Sequence, residues 1–361
     1  MLLYSNPKLK FDKYSKAFSE AMDRVIRQEQ FILGKEVSQF EDAFANYLSA
    51  KHCIGVNSGT DAITIALDAL DLSPGDEVIT TALSAHGTVV AIERARLVPV
   101  IVDVVSPTHT IDPKEVEKAI GPKTKAILPV HLHGFPAALD ELQKLCNQHN
   151  LHLVEDCAQA HGATYQGQKL GTFGELSTFS FYPTKNLGCM GDGGAVVTNR
   201  DEFKDRLLAL RYYGLDNNDI NKVGINSRLD EIQAAFLSIM LPHLDAHNAA
   251  RFDYAQRYHQ ELSAFKEWLP PIIDGAVYHQ FGIRVPNRDL FKQLMADKGI
   301  QLGEHYSFSM SNLSAFKSYC RATPVADQVS QKLVSLPIQP EILDDHFAFV
   351  VEIAHSCLKR M

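Results

Sequence analysis

The strongest constraint on the fold is an alternation. Short apolar runs rich in β-branched residues lie at Cys53–Val56, Glu77–Thr80, Val98–Val102, Ala126–Val130 and Leu151–Glu155. Between them come stretches with helical spacing, Asp61–Leu70, His86–Arg96, Pro113–Ile120 and Pro136–Asn150. Strands that are apolar along their whole length need cover on both faces, and helical crossovers make neighbouring strands parallel. The pattern predicts an α/β fold with a mostly parallel sheet flanked by helices. Two more strands are predicted at Ser177–Phe181 and Ala195–Thr198. A helix over Phe11–Gln30 and another over Val37–Leu48 precede the alternation, and helices over Glu202–Arg211, Ser227–Leu241 and Leu244–Leu262 follow it. Beyond Trp268 a strand (Val277–Val285), a helix (Arg288–Lys298) and a further helix or turn (Ser330–Ser335) suggest a small α+β domain. The domain change falls near residues 242–250, which gives a large domain over 1–245, with the N-terminal helices, and a small one over 246–361.

Charge and cysteines narrow the function. Lys and Arg number 35 against 43 Asp and Glu, a net charge of −8. Nonspecific nucleic-acid binding needs a basic face, so no nucleic-acid partner is expected. An anionic substrate must be held by local donors, because the overall field repels it. The cysteines, at 53, 146, 157, 189, 320 and 357, form no C-x-x-C pair. That spacing is neither a disulfide framework nor the usual zinc site, and reduced thiols in the cytoplasm are expected. The opening MLLYSNPKLKF carries no secretory signal pattern. The most apolar region, Ala82–Val105, is broken by Glu93, Arg94, Arg96 and Asp103, so no membrane association is expected.

Three strings can carry chemistry. In Val56-Asn57-Ser58-Gly59-Thr60-Asp61-Ala62 a strand ends, a glycine turn follows and a helix begins. Free N–H groups and the helix dipole make such a place an anion site, and Ser58 and Thr60 add hydroxyls. An ordinary helix cap explains the same residues. In LHLVEDCAQAHGA, Glu155 and Asp156 close an apolar strand, where a parallel sheet opens its ligand crevice. Asp156 can pair with a protonated ring nitrogen, or serve as a turn residue. His161 is a base or, more simply, a hydrogen-bonded structural histidine. In SFYPTKNLG, Lys185 sits in a Pro/Gly-rich turn after an apolar strand. Burial lowers a lysine's pKa and lets it form Schiff bases, although a lone lysine is commonly a solvated charge. Gly188, Gly191, Gly193 and Gly194 do not spell a dinucleotide fingerprint. Cys189 is read as a small apolar filler. In this order, an anion cradle, a ring-nitrogen partner and an imine-forming lysine are the three groups that pyridoxal 5′-phosphate requires.

With these strings, and with PVHLHG, GDGGAVVTN and INSRLDEIQAAFL, the chain resembles the DegT/DnrJ/StrS family of nucleotide-sugar aminotransferases from about residue 31 to residue 338. The resemblance implies the aspartate-aminotransferase fold and pyridoxal phosphate. It makes Lys185 the cofactor-bearing lysine and Asp156 the partner of the pyridine nitrogen. Gln159 would lie near the ring hydroxyl, while Gly59, Thr60 and Ser180 hold the phosphate, with Ser58 beside them. Asn226 would reach the cofactor of a second copy, so the resemblance implies a homodimer with shared active sites. Tyr182, Arg228 and Tyr306 are candidate substrate contacts.

The string Asn226-Ser227-Arg228-Leu229-Asp230 and VYHQFGIR resemble the branch that aminates C3 of a 3-keto sugar. The implied substrate is a dTDP-3-oxo-6-deoxyhexose, and L-glutamate the amino donor. Amination of a 4-keto or UDP-linked sugar, or a non-catalytic cofactor-binding module, are the alternatives. A dehydratase of the same family would carry His in place of Lys185. Two strings depart from the family pattern. His86 stands near the place of an aromatic residue that usually stacks on the cofactor ring, so either its imidazole serves or the ring is stacked differently. His305-Tyr306-Ser307 replaces the usual HYP.

Overall fold

The computed structural model describes residues 1–216 and 219–361. The chain opens with three helices, α1 (Pro7–Lys13), α2 (Ser15–Ile26) and α3 (Lys35–Leu48). The alternation then runs β1 (His52–Val56), α4 (Gly59–Ala69), β2 (Glu77–Thr81), α5 (His86–Arg94), β3 (Val98–Val102), α6 (Pro113–Ala119), β4 (Thr124–Leu128), α7 (Leu139–His149) and β5 (His152–Asp156). A two-residue strand pair, β6 (Thr164–Tyr165) and β7 (Gln168–Lys169), precedes β8 (Leu176–Ser180) and β9 (Gly194–Thr198). Next come α8 (Asp201–Leu210), the short pair β10 (Leu215–Asp216) and β11 (Asp219–Ile220), then α9 (Glu231–Met240) and α10 (Leu244–Glu261). The chain ends with β12 (Phe281–Arg284), α11 (Arg288–Ala296), α12 (Pro324–Lys332), β13 (Leu333–Leu336) and α13 (Asp344–Leu358).

Seven strands form the central sheet in the order β1-β9-β8-β5-β4-β2-β3. Only β9 runs against its neighbours, β1 and β8, so the other six strands share one direction. The pleat sends adjacent side chains to opposite cores. Ala126 and Leu128 join the core that holds Ile54, Val56 and α4, whereas Ile127 joins the core built from Phe40, Phe44, Phe179 and α9. A third core surrounds β12 and β13, with Tyr254 and Tyr258 of α10 and Phe347 of α13. Helix α10 spans two cores, since its first residue, Leu244, packs with the sheet. No helix among the described residues is long and apolar enough to cross a membrane.

The α/β alternation is as expected, but several boundaries are not. The first predicted helix breaks at Tyr14 into α1 and α2. The predicted helix from Ser227 starts only at Glu231, because 226–230 is extended and bridges Tyr212 and Ile32. The predicted strand 277–285 shortens to Phe281–Arg284: Val277 and His279 donate their N–H groups to Gly134 and His133 instead. Ser330–Ser335 holds the end of α12 and the start of β13, not one helix or turn.

The segment 309–333 returns to the large sheet. Met310 and Phe316 join its core, and the buried Asp103 carboxylate, just past β3, accepts from the Val325 and Ala326 N–H groups, both at 2.8 Å. Asp103 thus acts as a distant cap for α12. Asp103→Ala is expected to cost about 1–2 kcal/mol, the upper range for a lost helix cap. A urea-unfolding midpoint equal to that of the parent would refute the cap.

Candidate active site

Because six strands point one way, the carboxyl ends of β1, β8 and β5 lie along one edge of the sheet. That edge gathers the three strings singled out above. Their residues Ser58, Gly59, Thr60, Asp156, Ser180 and Lys185 line a cavity of about 340 Å³, joined by Tyr4, Tyr182, His279, Gln280, His305 and Tyr306.

The end of the cavity at the N-terminus of α4 is built from close backbone approaches. Ser58 caps α4, its Oγ accepting from Asp61 N at 3.1 Å, so the capping reading of this serine holds alongside its place in the cavity. A Cβ on Gly59 would lie 2.6 Å from Ser180 Cβ, and one on Gly87 would lie 2.6 Å from Thr60 Oγ1. Only glycine allows this packing at the N-terminus of α4, where unpaired N–H groups and the dipole favour an anion.

Asp156 ends β5 and is buried at the cavity floor. Its carboxylate accepts from Thr88 Oγ1 at 3.1 Å and from Ala158 N at 3.0 Å, and Thr88 in turn meets Ser84 Oγ at 2.8 Å. Burial raises the Asp156 pKa despite these donors and the Lys185 charge. Lys185 follows a tight turn, its N–H donating to Tyr182 O at 2.8 Å. Burial drives its amine down to about 8, while the Asp156 charge pulls the other way. In the cofactor-free chain Lys185 should react with an amine-directed label at half its maximal rate near pH 8, well below an ordinary lysine. Peptide mass spectrometry across pH reads this out, and a midpoint above 10 would refute it.

Glu155 faces away from Asp156 and organises the support beneath it. Its carboxylate accepts from Phe173 N and Gly174 N at 2.8 Å, Gly171 N at 3.0 Å and His131 Nε2 at 3.1 Å. His131 Nδ1 accepts from Ala137 N, which places the imidazole proton on Nε2. Burial alone would raise the Glu155 pKa, yet these donors hold it below the ordinary value. With Cys157, His131 and Glu155 offer ligand atoms within 4.8 Å of one another, but both ring nitrogens and both carboxylate oxygens are already spent on hydrogen bonds.

Other predicted residues sit outside the cavity lining. Gln159 lies behind it, its carbonyl accepting from His133 N at 2.7 Å and its amide donating to Tyr306 Oη at 3.0 Å. His86 is exposed and stacks on Phe308 with centroids 4.3 Å apart, between the lining residues Ala85 and Gly87. Asn226 is exposed and pairs with Tyr212, while Arg228 lies over the Tyr212 ring at 5.3 Å. His161 is buried with a Ser180 backbone group beside it, outside strict hydrogen-bond geometry, and its ring packs near Phe179 and Phe181 at 5.5 and 5.8 Å. Burial, and then the Lys185 charge, lower it to about 3, so it stays neutral. Cys189 is buried, and its thiol donates to Phe181 O at 3.0 Å. Sequence reasoning missed Thr88, Tyr4 and the placement of His279. Tyr4 arrives because Leu2 pairs with Ile300, a contact that no local pattern announces.

The donor set fits pyridoxal phosphate: a glycine-lined anion cradle, a buried carboxylate of raised pKa, and a lysine of lowered pKa share one cavity. A profile of the DegT/DnrJ/EryC1/StrS aminotransferase family matches residues 12–355. The dTDP-3-amino-3,4,6-trideoxy-alpha-D-glucose transaminase of Streptomyces venezuelae is 41% identical over 89% of this chain and 87% of its own. The dTDP-3-amino-3,6-dideoxy-alpha-D-galactopyranose transaminase of Aneurinibacillus thermoaerophilus is 40% identical over 94% and 95%. The crystal structure of S. venezuelae DesV with a ketimine intermediate superposes with a TM-score of 0.95 at 38% identity, covering 100% of this chain and 99% of that one. The chain belongs to the DegT/DnrJ/EryC1/StrS aminotransferase family of pyridoxal-phosphate enzymes.

Proposed function

We propose that this aminotransferase converts a dTDP-3-oxo-6-deoxyhexose to the 3-amino sugar, with L-glutamate as amino donor. The observation that carries the reaction class is the meeting of Lys185, Asp156 and the Gly59 helix end in one cavity. The sugar class rests on the two dTDP-3-amino-sugar relatives and on the Asn226–Asp230 string.

The cofactor, when bound, supplies an electron-withdrawing ring that stabilises negative charge on an amine-bearing carbon. The protein's own groups do the rest. The N–H groups at Gly59 and Thr60, with the hydroxyls of Thr60 and Ser180, hold the phosphate. The Asp156 carboxylate keeps the pyridine nitrogen protonated, and Thr88 and Ala158 hold that carboxylate in place. Gln159 supports the ring-hydroxyl side through its bond to Tyr306. Lys185, whose amine burial brings to about 8, would hold the cofactor and serve as the group that takes the proton from the donor's α-carbon and returns one on the sugar side. Both half-reactions use one site in turn, a ping-pong scheme. The exposed Tyr182 and the partly buried Tyr306 line the cavity that a sugar would enter, and Arg228 is a further substrate contact.

The reading includes a homodimer with shared sites. Asn226 and Arg228 lie away from their own cavity, and exposed apolar side chains surround that segment: Ile32 bridges Asp230, Met190 N donates to Gln233, and Tyr212 pairs with Asn226. His86 is the candidate stacking face, and six unpaired thiols suit a reducing cytoplasm. The test is a coupled assay with L-glutamate and a panel of dTDP- and UDP-linked 3-keto and 4-keto sugars. The dTDP-3-keto substrates should show the highest kcat/KM. A preference for a 4-keto sugar would move the chemistry to C4, and turnover of none would leave a binding module.

A further inference from the structure

Helix α1 sits outside the cavity, yet it carries a buried cation directly beneath the turn that bears Lys185. Lys10 is only 7% exposed. Among the described residues its ammonium meets no carboxylate directly. It donates to two backbone carbonyls, Pro183 O at 3.2 Å and Gly188 O at 3.5 Å, which bracket Lys185. The intervening Asn186 is anchored from the other side, its amide donating to Asn248 Oδ1 at 2.8 Å and Val277 O at 3.2 Å, and its carbonyl bonding His279 Nδ1 at 3.0 Å. Lys10 and Lys185 border one small, partly open cavity of about 20 Å³, together with Arg251 and Glu341.

An apolar side chain would fill the Lys10 site without the desolvation that a buried ammonium suffers. Burial lowers Lys10 to about 8, with Glu341 favouring its charge and Arg251 opposing it. The site therefore bears a cost that packing alone does not explain. What the ammonium adds is a two-point hold on a turn that has no helix or strand of its own.

We propose that Lys10 is a positioning residue: from helix α1 it fixes the turn 183–188 through the Pro183 and Gly188 carbonyls, and so aims the Lys185 amine into the cavity. The role rests on Lys185 acting as proposed above, but one readout does not. Lys10→Met keeps the stem and removes the donors, while Lys10→Gln keeps a donor without the charge. In the cofactor-free chain, hydrogen exchange of peptides spanning 182–190 should quicken about tenfold in Lys10→Met, with α4 and α9 unchanged. In the loaded enzyme kcat should fall tenfold or more with KM for the sugar within twofold, and Lys10→Gln should lose less than half as much on a logarithmic scale. Exchange and kcat both at parent values in Lys10→Met overturn the proposal, as does a uniform rise in exchange across the fold. If Lys10→Met does not fold, Lys10→Gln decides: faster exchange at 182–190 with lowered kcat supports the role, and parent-like values of both overturn it. Faster exchange at 182–190 in a chain that turns over none of the panel sugars upholds the hold and removes only the substrate reading.

Discussion

Lys185→Ala is expected to lose at least about 10³-fold in kcat, the middle of the range that one positioned acid–base group contributes. The argument is geometric. Among the groups lining the cavity, Lys185 alone is an amine, and burial brings it to about 8, where it can both accept and return a proton at neutral pH. The two histidines and Tyr306 of the lining are poor substitutes. Burial holds the His279 imidazole far below its ordinary range, and that of His305 near 4. The Tyr306 hydroxyl is raised by burial and by the Asp156 charge. Two measurements separate loss of chemistry from loss of structure. Borohydride should no longer fix the cofactor to the chain, whereas the circular dichroism of the cofactor-free variant should match the parent. Transamination at a rate comparable to the parent would refute the assignment.

Much of the fold was legible because burial on both faces leaves a plain signature. Runs such as Val98–Val102 and Ala126–Leu128 are apolar at every position, and the structure puts alternate residues into two different cores. The site was legible for a related reason. Where such a run gives way to Ser58-Gly59, Asp156 or Ser180, the chain leaves the sheet at its carboxyl edge, and polar residues there have no core to serve. The illegible parts depend on contacts distant in sequence. Val277–Gln280 has a strand-like composition but finds the loop at His133–Gly134 as its partner, and this carries His279 into the cavity. Thr88 stands inside an ordinary helix sequence and gains meaning only when β5 brings Asp156 to 3.1 Å. Tyr4 and Lys10 precede the first strand by more than forty residues, yet Tyr4 lines the cavity and Lys10 reaches the turn behind it.

Asp156→Asn tests the second half of the site, and its effects should run in opposite directions with and without cofactor. Asparagine is close to isosteric and can keep the local bonds: its carbonyl accepts from Ala158 N, and its amide donates to Thr88 Oγ1, whose proton then turns to Ser84. Loss of the negative charge should cost kcat about 10²–10³-fold, an electrostatic loss of about 3–4 kcal/mol on the barrier. The cofactor-free chain should respond otherwise. Burial raises the Asp156 pKa above its unfolded value, so the folded state prefers the protonated acid. The stability of that protonated form is fully present below the unfolded pKa, about 4, and is lost as pH rises through the folded value. At pH 7 the parent therefore carries an unfavourable buried carboxylate that the variant lacks. Asp156→Asn should melt above the parent at pH 7, and the gap should close as the pH falls below about 4. A variant that melts below the parent at neutral pH, or that keeps near-normal kcat, would show that this carboxylate is a structural turn residue and that the electron sink relies on some other group.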